Sequence, residues 1–191
     1  MSHPASLVAV LDANVLYPQW LRDLLLTLAA FGYYEPRWSD RILDEMRRNV
    51  LADHPDIDPV RFNAVTLAAL HRAFPAASVP VDDGLVAQMD NAVEDRHVLA
   101  VAVTAAADVI VTSNVDDFFA SRHVTSGDIA IEPPATFLTT VLDQHPDVMA
   151  AVLLHLATNR RGVATIADVL VMLEHNQTLR PFVVEARRSL L

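Results

Sequence analysis

Five apolar residues, Leu7-Val8-Ala9-Val10-Leu11, run without a break into Asp12. A run this short and this rich in Val and Leu fits a strand buried on both faces. A second run, Val109-Ile110-Val111, opens from Asp108 and ends in Thr112-Ser113-Asn114-Val115-Asp116-Asp117-Phe118. The aromatic segment Tyr33 to Trp38 reads as a further strand, and Ile129-Ala130-Ile131, stopped by Pro133-Pro134, as the last. Helical patterns fill the intervals. Strands alternating with helices up to residue 132 imply a three-layer α/β domain with a mostly parallel central sheet. A carboxylate just past a buried parallel strand lies at the edge where open α/β sheets place their ligands.

The intervening helices carry recognisable start and stop signals. Pro18 to Phe31 is amphipathic and closed by Gly32. Ser39 is an N-cap with Asp40 in the first turn, followed by an apolar stripe of Ile42, Leu43, Met46 and Val50. Glu45 sits beside that stripe, an unusual place for a group seldom buried without a partner. Asp58-Pro59 starts a helix that runs to Phe74-Pro75. Ser78 to Val81 is expected as a short strand and Asp82 to Met89 as a short helix. Asp95 opens a helix whose Val98, Leu99, Ala102 and Ala105 suit close packing on a sheet. Residues 133–191 read as a helical extension: Thr136 to Leu142, Pro146 to Ala157, Thr165 to Leu173 and Leu179 to Leu190. Thr165 with Asp168 has the spacing of a capping box, with Asp in place of Glu.

Composition excludes several chemistries. The chain has no cysteine, so disulfides, zinc–thiolate sites and thiol nucleophiles are ruled out. No signal peptide is evident and no apolar run is long enough to span a membrane, so a cytoplasmic protein is expected. The net charge is −10, and residues 1–132 account for it, with 9 Arg against 19 Asp and Glu. Every cation is an arginine. An acidic chain is a poor general binder of nucleic acid, unless its carboxylates gather around divalent cations that reverse the local sign.

Four acids stand where such a gathering can occur: Asp12, Glu45, Asp95 and Asp117. Two follow apolar strands, one opens a helix and one rides a helix. Each alone reads as a cap or a solvated charge. Together, strand C-termini and the starts of the following helices share one edge, so Asp12, Asp95 and Asp117 can meet there, and Glu45 joins if its helix crosses the same cleft. Carboxylates brought together without cations repel and raise one another's pKa. Mg²⁺ or Mn²⁺, which favour oxygen ligands, relieve that repulsion, and can activate water and stabilise charge on a phosphodiester.

The order of these pieces resembles the PIN-domain nucleases over about residues 7–132. Leu11-Asp12-Ala13-Asn14-Val15-Leu16 is similar to the family's opening Asp on the first strand. Trp38-Ser39 followed by Ile42-Leu43-Asp44-Glu45 is similar to its helix-borne glutamate. Asp95-Arg96-His97-Val98-Leu99-Ala100 resembles its Asp-x-x-hydrophobic-hydrophobic-Ala helix start. Thr112 to Phe118 resembles the segment after its fourth strand. The resemblance implies a PIN-like nuclease domain over 1–132, while the helical extension over 133–191 departs from the pattern, being longer than a minimal PIN toxin carries. It implies a metal-dependent endoribonuclease, most often the VapC-like toxin of a bacterial toxin–antitoxin pair, with an antitoxin partner and a homodimer. Asn114 departs from the pattern where many relatives have Asp, leaving Asp117 or Asp116 as the fourth acid.

On this reading Asp12, Glu45 and Asp95 hold the first metal, Asp117 completes the site, and Asn14 and Asn114 orient carboxylates or a water. Arg37, Arg47, Arg48 and Arg96 are the local candidates for RNA contact, with Arg160-Arg161 and Arg187-Arg188 as outlying ones. Thr112 and Ser113, hydroxyls directly after a strand, read as turn formers or as contacts to a substrate phosphate, and Trp20 and Trp38 read as core. His97, two positions past Asp95 and about 200° around a helix of 3.6 residues per turn, is expected to face elsewhere. Two other functions fit less of the sequence. One is a PIN-fold binding module with a degenerate metal site. The other is a phosphatase using Asp12, which lacks a second Asp because Asn14 holds that place.

Overall fold

The computed structural model describes residues 7–160 and 162–191, so Arg161 and the first six residues lie outside it. The first apolar run forms β1 (Val8–Leu11), followed by a one-turn α1 (Ala13–Leu16) and by α2 (Gln19–Ala30). Then come β2 (Glu35–Arg37), α3 (Asp40–Asp53), α4 (Pro59–Phe62), a π-helical turn at Asn63–Leu67, α5 (Ala68–Ala73) and α6 (Asp83–Gln88). A 3-10 turn at Val93–Asp95 leads into α7 (Arg96–Ala105), then β3 (Val109–Val111), another 3-10 turn at Val115–Asp117, α8 (Arg122–Thr125) and β4 (Ala130–Glu132). The chain ends in α9 (Pro134–Gln144), α10 (Pro146–Thr158), α11 (Ile166–Glu174) and α12 (Arg180–Leu190).

The four strands make one sheet of order β2-β1-β3-β4, parallel throughout. Ala9, Val10 and Leu11 point alternately to the two faces and all are fully buried, so helices cover both sides, as an all-parallel sheet requires. The small face of α7, with Ala100 and Ala102 at zero exposure, packs across β1, β2 and β3. The α/β class and the C-terminal helices therefore match the pattern of the sequence. Buried residues of those helices, including Met149, Leu153, Leu170 and Phe182, join the same core, and α10 packs along α2.

Local chemistry explains most boundaries. Ser39 caps α3 by accepting a hydrogen bond from the Ile42 amide. Gly32 closes the α2 turn at φ +79°, a left-handed conformation that a side chain would strain. Thr165 and Asp168 form the expected reciprocal capping box. Two expectations need correction. Ser78 to Val81 is no full strand: Ser78 makes one isolated parallel bridge to Trp38, and Pro80 brings no N–H to continue it. The helix expected from Pro59 to Phe74 is interrupted by the wider π-helical turn.

Candidate functional site

Two adjacent strands end at the same edge, and the chain leaves each with a polar side chain. Asp12 continues β1 by donating its backbone N–H to the Val111 carbonyl, and Thr112 donates its own to the Glu132 carbonyl beside it. The Asp12 carboxylate is 2% exposed. One oxygen accepts the Ala13 amide at 2.6 Å, capping α1. The other accepts the Asn14 amide at 2.6 Å and the Thr112 hydroxyl at 2.7 Å. Asp12 is thus both the helix cap and part of the edge. Burial pushes its carboxyl up from the ordinary value, opposed by the bonds from Thr112 and Ala13.

Asn14 ties the two loops together. Its Nδ2 also reaches the Thr112 hydroxyl at 3.0 Å, and its Oδ1 accepts the Ser113 amide at 2.9 Å. Thr112, fully buried, accepts the Asn114 amide as well, at 3.0 Å. Sequence reasoning had Thr112 as a turn former or phosphate contact. The structure makes it the hub that fixes Asp12 from 100 residues away. The signal was weak: a hydroxyl directly after a buried strand does not say where it points. Among the described residues, the Asn114 side chain makes no hydrogen bond, and Asp116 is exposed.

Asp95 ends the 3-10 turn before α7 and is 8% exposed. No donor bonds its carboxylate among the described residues. Its neighbours are acids instead. Burial pushes it up to about 7, with Asp12, Asp117 and Glu45 all pushing the same way. All four acids singled out from the sequence therefore interact at one edge. Asp117 reaches it because the turn after β3 lies against the loop before α7, where the Ala92 amide bonds the Asp117 carbonyl at 3.0 Å.

Glu45 comes from α3, which packs on both α1 and α7. Its carboxylate faces His97, with Oε2 3.4 Å from Nε2. That contact holds the Glu45 carboxyl below its ordinary value against the effect of burial, and Arg48 and Arg41 act in the same direction. The expectation that His97 faces away is corrected. The helical-wheel angle was measured from Asp95 along one helix, whereas the partner arrives from α3. The buried-glutamate rule had asked for a partner, and His97 is it.

The arginines proposed for RNA contact are mostly engaged. Arg37 pairs with Glu35. Arg47 bonds Asn63 at 2.7 Å and lies 3.6 Å from Asp44, and Arg48 lies 3.2 Å from Asp44. Arg96 donates to the Asn91 carbonyl at 3.3 Å. Arg160 pairs with Asp23 and stacks 4.6 Å over the half-buried Trp20, while Trp38 is core. Arg187 and Arg188 pair with Glu174 and Glu185, and Arg161 lies outside the described residues. Arg41, exposed and near Glu45, makes no ion pair among the described residues; the sequence reading passed over it.

Residues 8–116, more than half of the chain, match the PIN domain family. The chain belongs to the PIN-domain family. The match takes in Asp12, Glu45 and Asp95 and ends one residue before Asp117, short of the 7–132 span suggested by the motifs. PIN domains are typically nucleases, and a nuclease-type hydrolase is the general function this membership supports. No curated protein and no solved structure matches the chain. No helix among the described residues is long and apolar enough to cross a membrane.

The donor set suits a hard divalent cation. The four acids at this edge of the PIN domain offer carboxylate oxygen, and Asp95 has only acids to answer it. Among the described residues, no three acidic or histidine side chains already stand in a ligating arrangement.

Proposed function

We propose that this PIN-domain protein is a Mg²⁺- or Mn²⁺-dependent endoribonuclease that hydrolyses RNA phosphodiester bonds, the toxin of a bacterial toxin–antitoxin pair. The observation that carries the reading is the buried Asp95 carboxyl, raised to about 7 by burial and by three neighbouring acids. Asp12, Glu45, Asp95 and Asp117 would hold the cation. When bound, it neutralises the cluster, activates a water and stabilises the charge developing on the phosphodiester.

The chain's own residues supply the frame. Thr112 and Asn14 occupy one oxygen of Asp12, and the Ala13 amide occupies part of the other, so the one lone pair left over has a fixed direction. The Asp95 carboxyl, pushed up by burial and by the acids around it, keeps its proton more readily while no cation is near and gives it up more readily as positive charge enters. Arg41 is the cation best placed to meet an RNA phosphate at this edge, with Arg96 and Arg48 behind it. Under this reading the protein acts in the cytoplasm as a homodimer, and a cognate antitoxin restrains it by placing an arginine among the acids.

Incubation of the purified protein with cellular RNA tests this. Cleavage is expected with Mn²⁺ or Mg²⁺, lost with EDTA, and lost in Asp95→Asn with the fold intact. A metal-loaded, partner-free protein that cuts no cellular RNA sinks it. The other reading, a PIN-fold binding module without nuclease activity, is favoured by the lack of a ready-made ligand arrangement and by the free Asn114 side chain. Calorimetry separates the two: the module binds no Mn²⁺ in the millimolar range.

A further inference from the structure

We infer that a cavity beside the metal edge, lined by Arg22 and Arg61, is a subsite for one nucleotide of the RNA strand flanking the cut, an inference that rests on the ribonuclease reading above. The cavity lies between the α1–α2 corner, the end of α3 and the π-helical turn. It measures about 660 Å³, within the range of about 300–1,000 Å³ usual for small-ligand sites. Tyr17, Val50, Ile57, Phe62 and Val65 furnish an apolar wall. The π-helical turn carries Val65 and Thr66 to it, and Arg47 pins that turn through Asn63.

Arg22 calls for an anion. It is only 8% exposed, yet no carboxylate pairs with it among the described residues. Residues 1–6 and Arg161 contain no acid that could supply one. Nη1 donates to the Leu16 carbonyl at 2.8 Å and touches the Met46 sulfur. Nε and Nη2 make no hydrogen bond among the described residues, and this edge of a guanidinium meets a phosphate with two parallel bonds. Burial, with Arg160 nearby, pushes the group down to about 10. It therefore stays charged at neutral pH without the counter-charge that a buried cation needs. Arg61 lines the same cavity, is exposed, and makes no ion pair among the described residues. The chain has 24 acids and 14 arginines, so two guanidiniums left without an acid at one cavity mark a place for an external anion. The nearby acids are engaged or face solvent: Asp58 caps α4 through the Val60 amide, Asp53 accepts the Tyr17 hydroxyl, and Asp56 is exposed.

Position ties the cavity to the cut. Tyr17 lies three residues beyond Asn14, which holds the Asp12 carboxylate, and residues at this spacing are neighbours on a helix surface. A strand with its phosphodiester at Asp12 passes the cavity within a few nucleotides. The arginines take its phosphate, and the wall takes its base. An aspartate or glutamate from a protein would satisfy the arginines but leave the wall bare. Every base has an apolar face, so the subsite holds the strand without reading its sequence.

The test is binding of a fluorescein-labelled single-stranded RNA of about ten nucleotides, followed by anisotropy in EDTA so that nothing is cut. Arg22→Gln, Arg61→Ala and Val65→Glu are each expected to weaken binding about tenfold, and the two arginine variants to lower the salt slope by about one phosphate contact each. Val184→Glu, at a similarly exposed position on α12, is expected to leave binding unchanged. AMP is expected to move the ¹³C-methyl resonances of Ile57 and Val65 in wild type and not in Arg22→Gln. The inference is overturned if wild type binds no RNA, if the three variants bind like wild type, or if Val184→Glu weakens binding as much as Val65→Glu. A polyglutamate peptide that moves the Ile57 and Val65 methyls where RNA and AMP do not also overturns it, in favour of an acidic protein partner. Should Arg22→Gln not fold, the two exposed positions, Arg61 and Val65, carry the test. Cleavage with Mn²⁺ judges the ribonuclease reading separately: a protein that binds RNA through this cavity yet cuts none keeps the subsite and loses the nuclease.

Discussion

The loop after β1 and the turn before α7 each bury one aspartate at the same edge, and they treat it in opposite ways. Asp12 is met by donors from Ala13, Asn14 and Thr112. Asp95 is met by acids. A buried carboxylate surrounded by donors is stable as it stands, whereas one surrounded by carboxylates is stable only with a proton or a cation. The first region is a finished frame. The second is a demand for positive charge. A metal site needs both, because a fully satisfied cluster has no reason to bind an ion and a wholly unsatisfied one does not fold.

This contrast is broken most directly at the two aspartates. Asp12→Asn and Asp95→Asn are each expected to reduce RNA cleavage on the order of a thousandfold, since several kcal/mol of charge stabilisation depends on the bound ion. Their stabilities should diverge. Asp95→Asn removes repulsion and raises the melting temperature of the metal-free protein at pH 8. Asp12→Asn lowers it, because an amide placed among donors loses one acceptor. Equal shifts in thermal melts would erase the distinction between the two regions.

Next in size is Thr112→Val. Deleting the hydroxyl leaves the Asn14 and Asn114 donors short of an acceptor, and is expected to cost about 1–3 kcal/mol in denaturant unfolding. Cleavage should fall about 10–100-fold through misplacement of Asp12.

Acidity sharpens the comparison further. The Asp95 carboxyl sits at about 7 in the folded chain against an ordinary value of 3.8. The folded state therefore holds the extra proton within this window. Its contribution to stability is complete below about 3.8 and is lost as pH rises through about 7. Thermal melts of the metal-free protein should fall between pH 5 and pH 8 more steeply than those of Asp95→Asn, and Mn²⁺ should stabilise more at pH 8 than at pH 5. The same slope in both proteins would mean that Asp95 is not the group under pressure.

A smaller effect concerns the cations. Arg41→Ala is expected to weaken RNA binding several-fold and to lower the salt slope by about one phosphate contact. Arg37→Ala and Arg47→Ala should change binding less, their side chains being committed to Glu35 and to Asp44 and Asn63. The smallest expected change lies in the C-terminal helices. There Asp168 is another carboxylate met by donors, from Ala164 and Thr165. Thr165→Ala should cost about 1 kcal/mol of stability and leave cleavage untouched.

The sequence revealed elements whose signals are local. Strands running straight into polar residues located Asp12 and the 112–118 turn, and helix-start chemistry located Asp95. Glu45 drew notice because it sat beside an apolar stripe. Thr112 and His97 were misjudged because their partners lie far off in sequence: the Asp12 carboxylate for one, and a glutamate on a crossing helix for the other. A helical wheel describes one helix and says nothing of its neighbour. The arginines misled in the same way. A run of charges shows the sign of a surface, but only the packed chain shows which cations are already paired.

The strand order carries a consequence for timing. β1 emerges first from the ribosome, yet its neighbour across the edge, β3, begins at Val109 and follows almost the whole helical half of the domain. A nascent chain that has not reached Thr112 cannot clamp Asp12, and one that has not reached Asp117 lacks the last acid. On the proposed ribonuclease reading, the unfinished polypeptide is inert toward the transcript from which it is read, a safeguard written into topology.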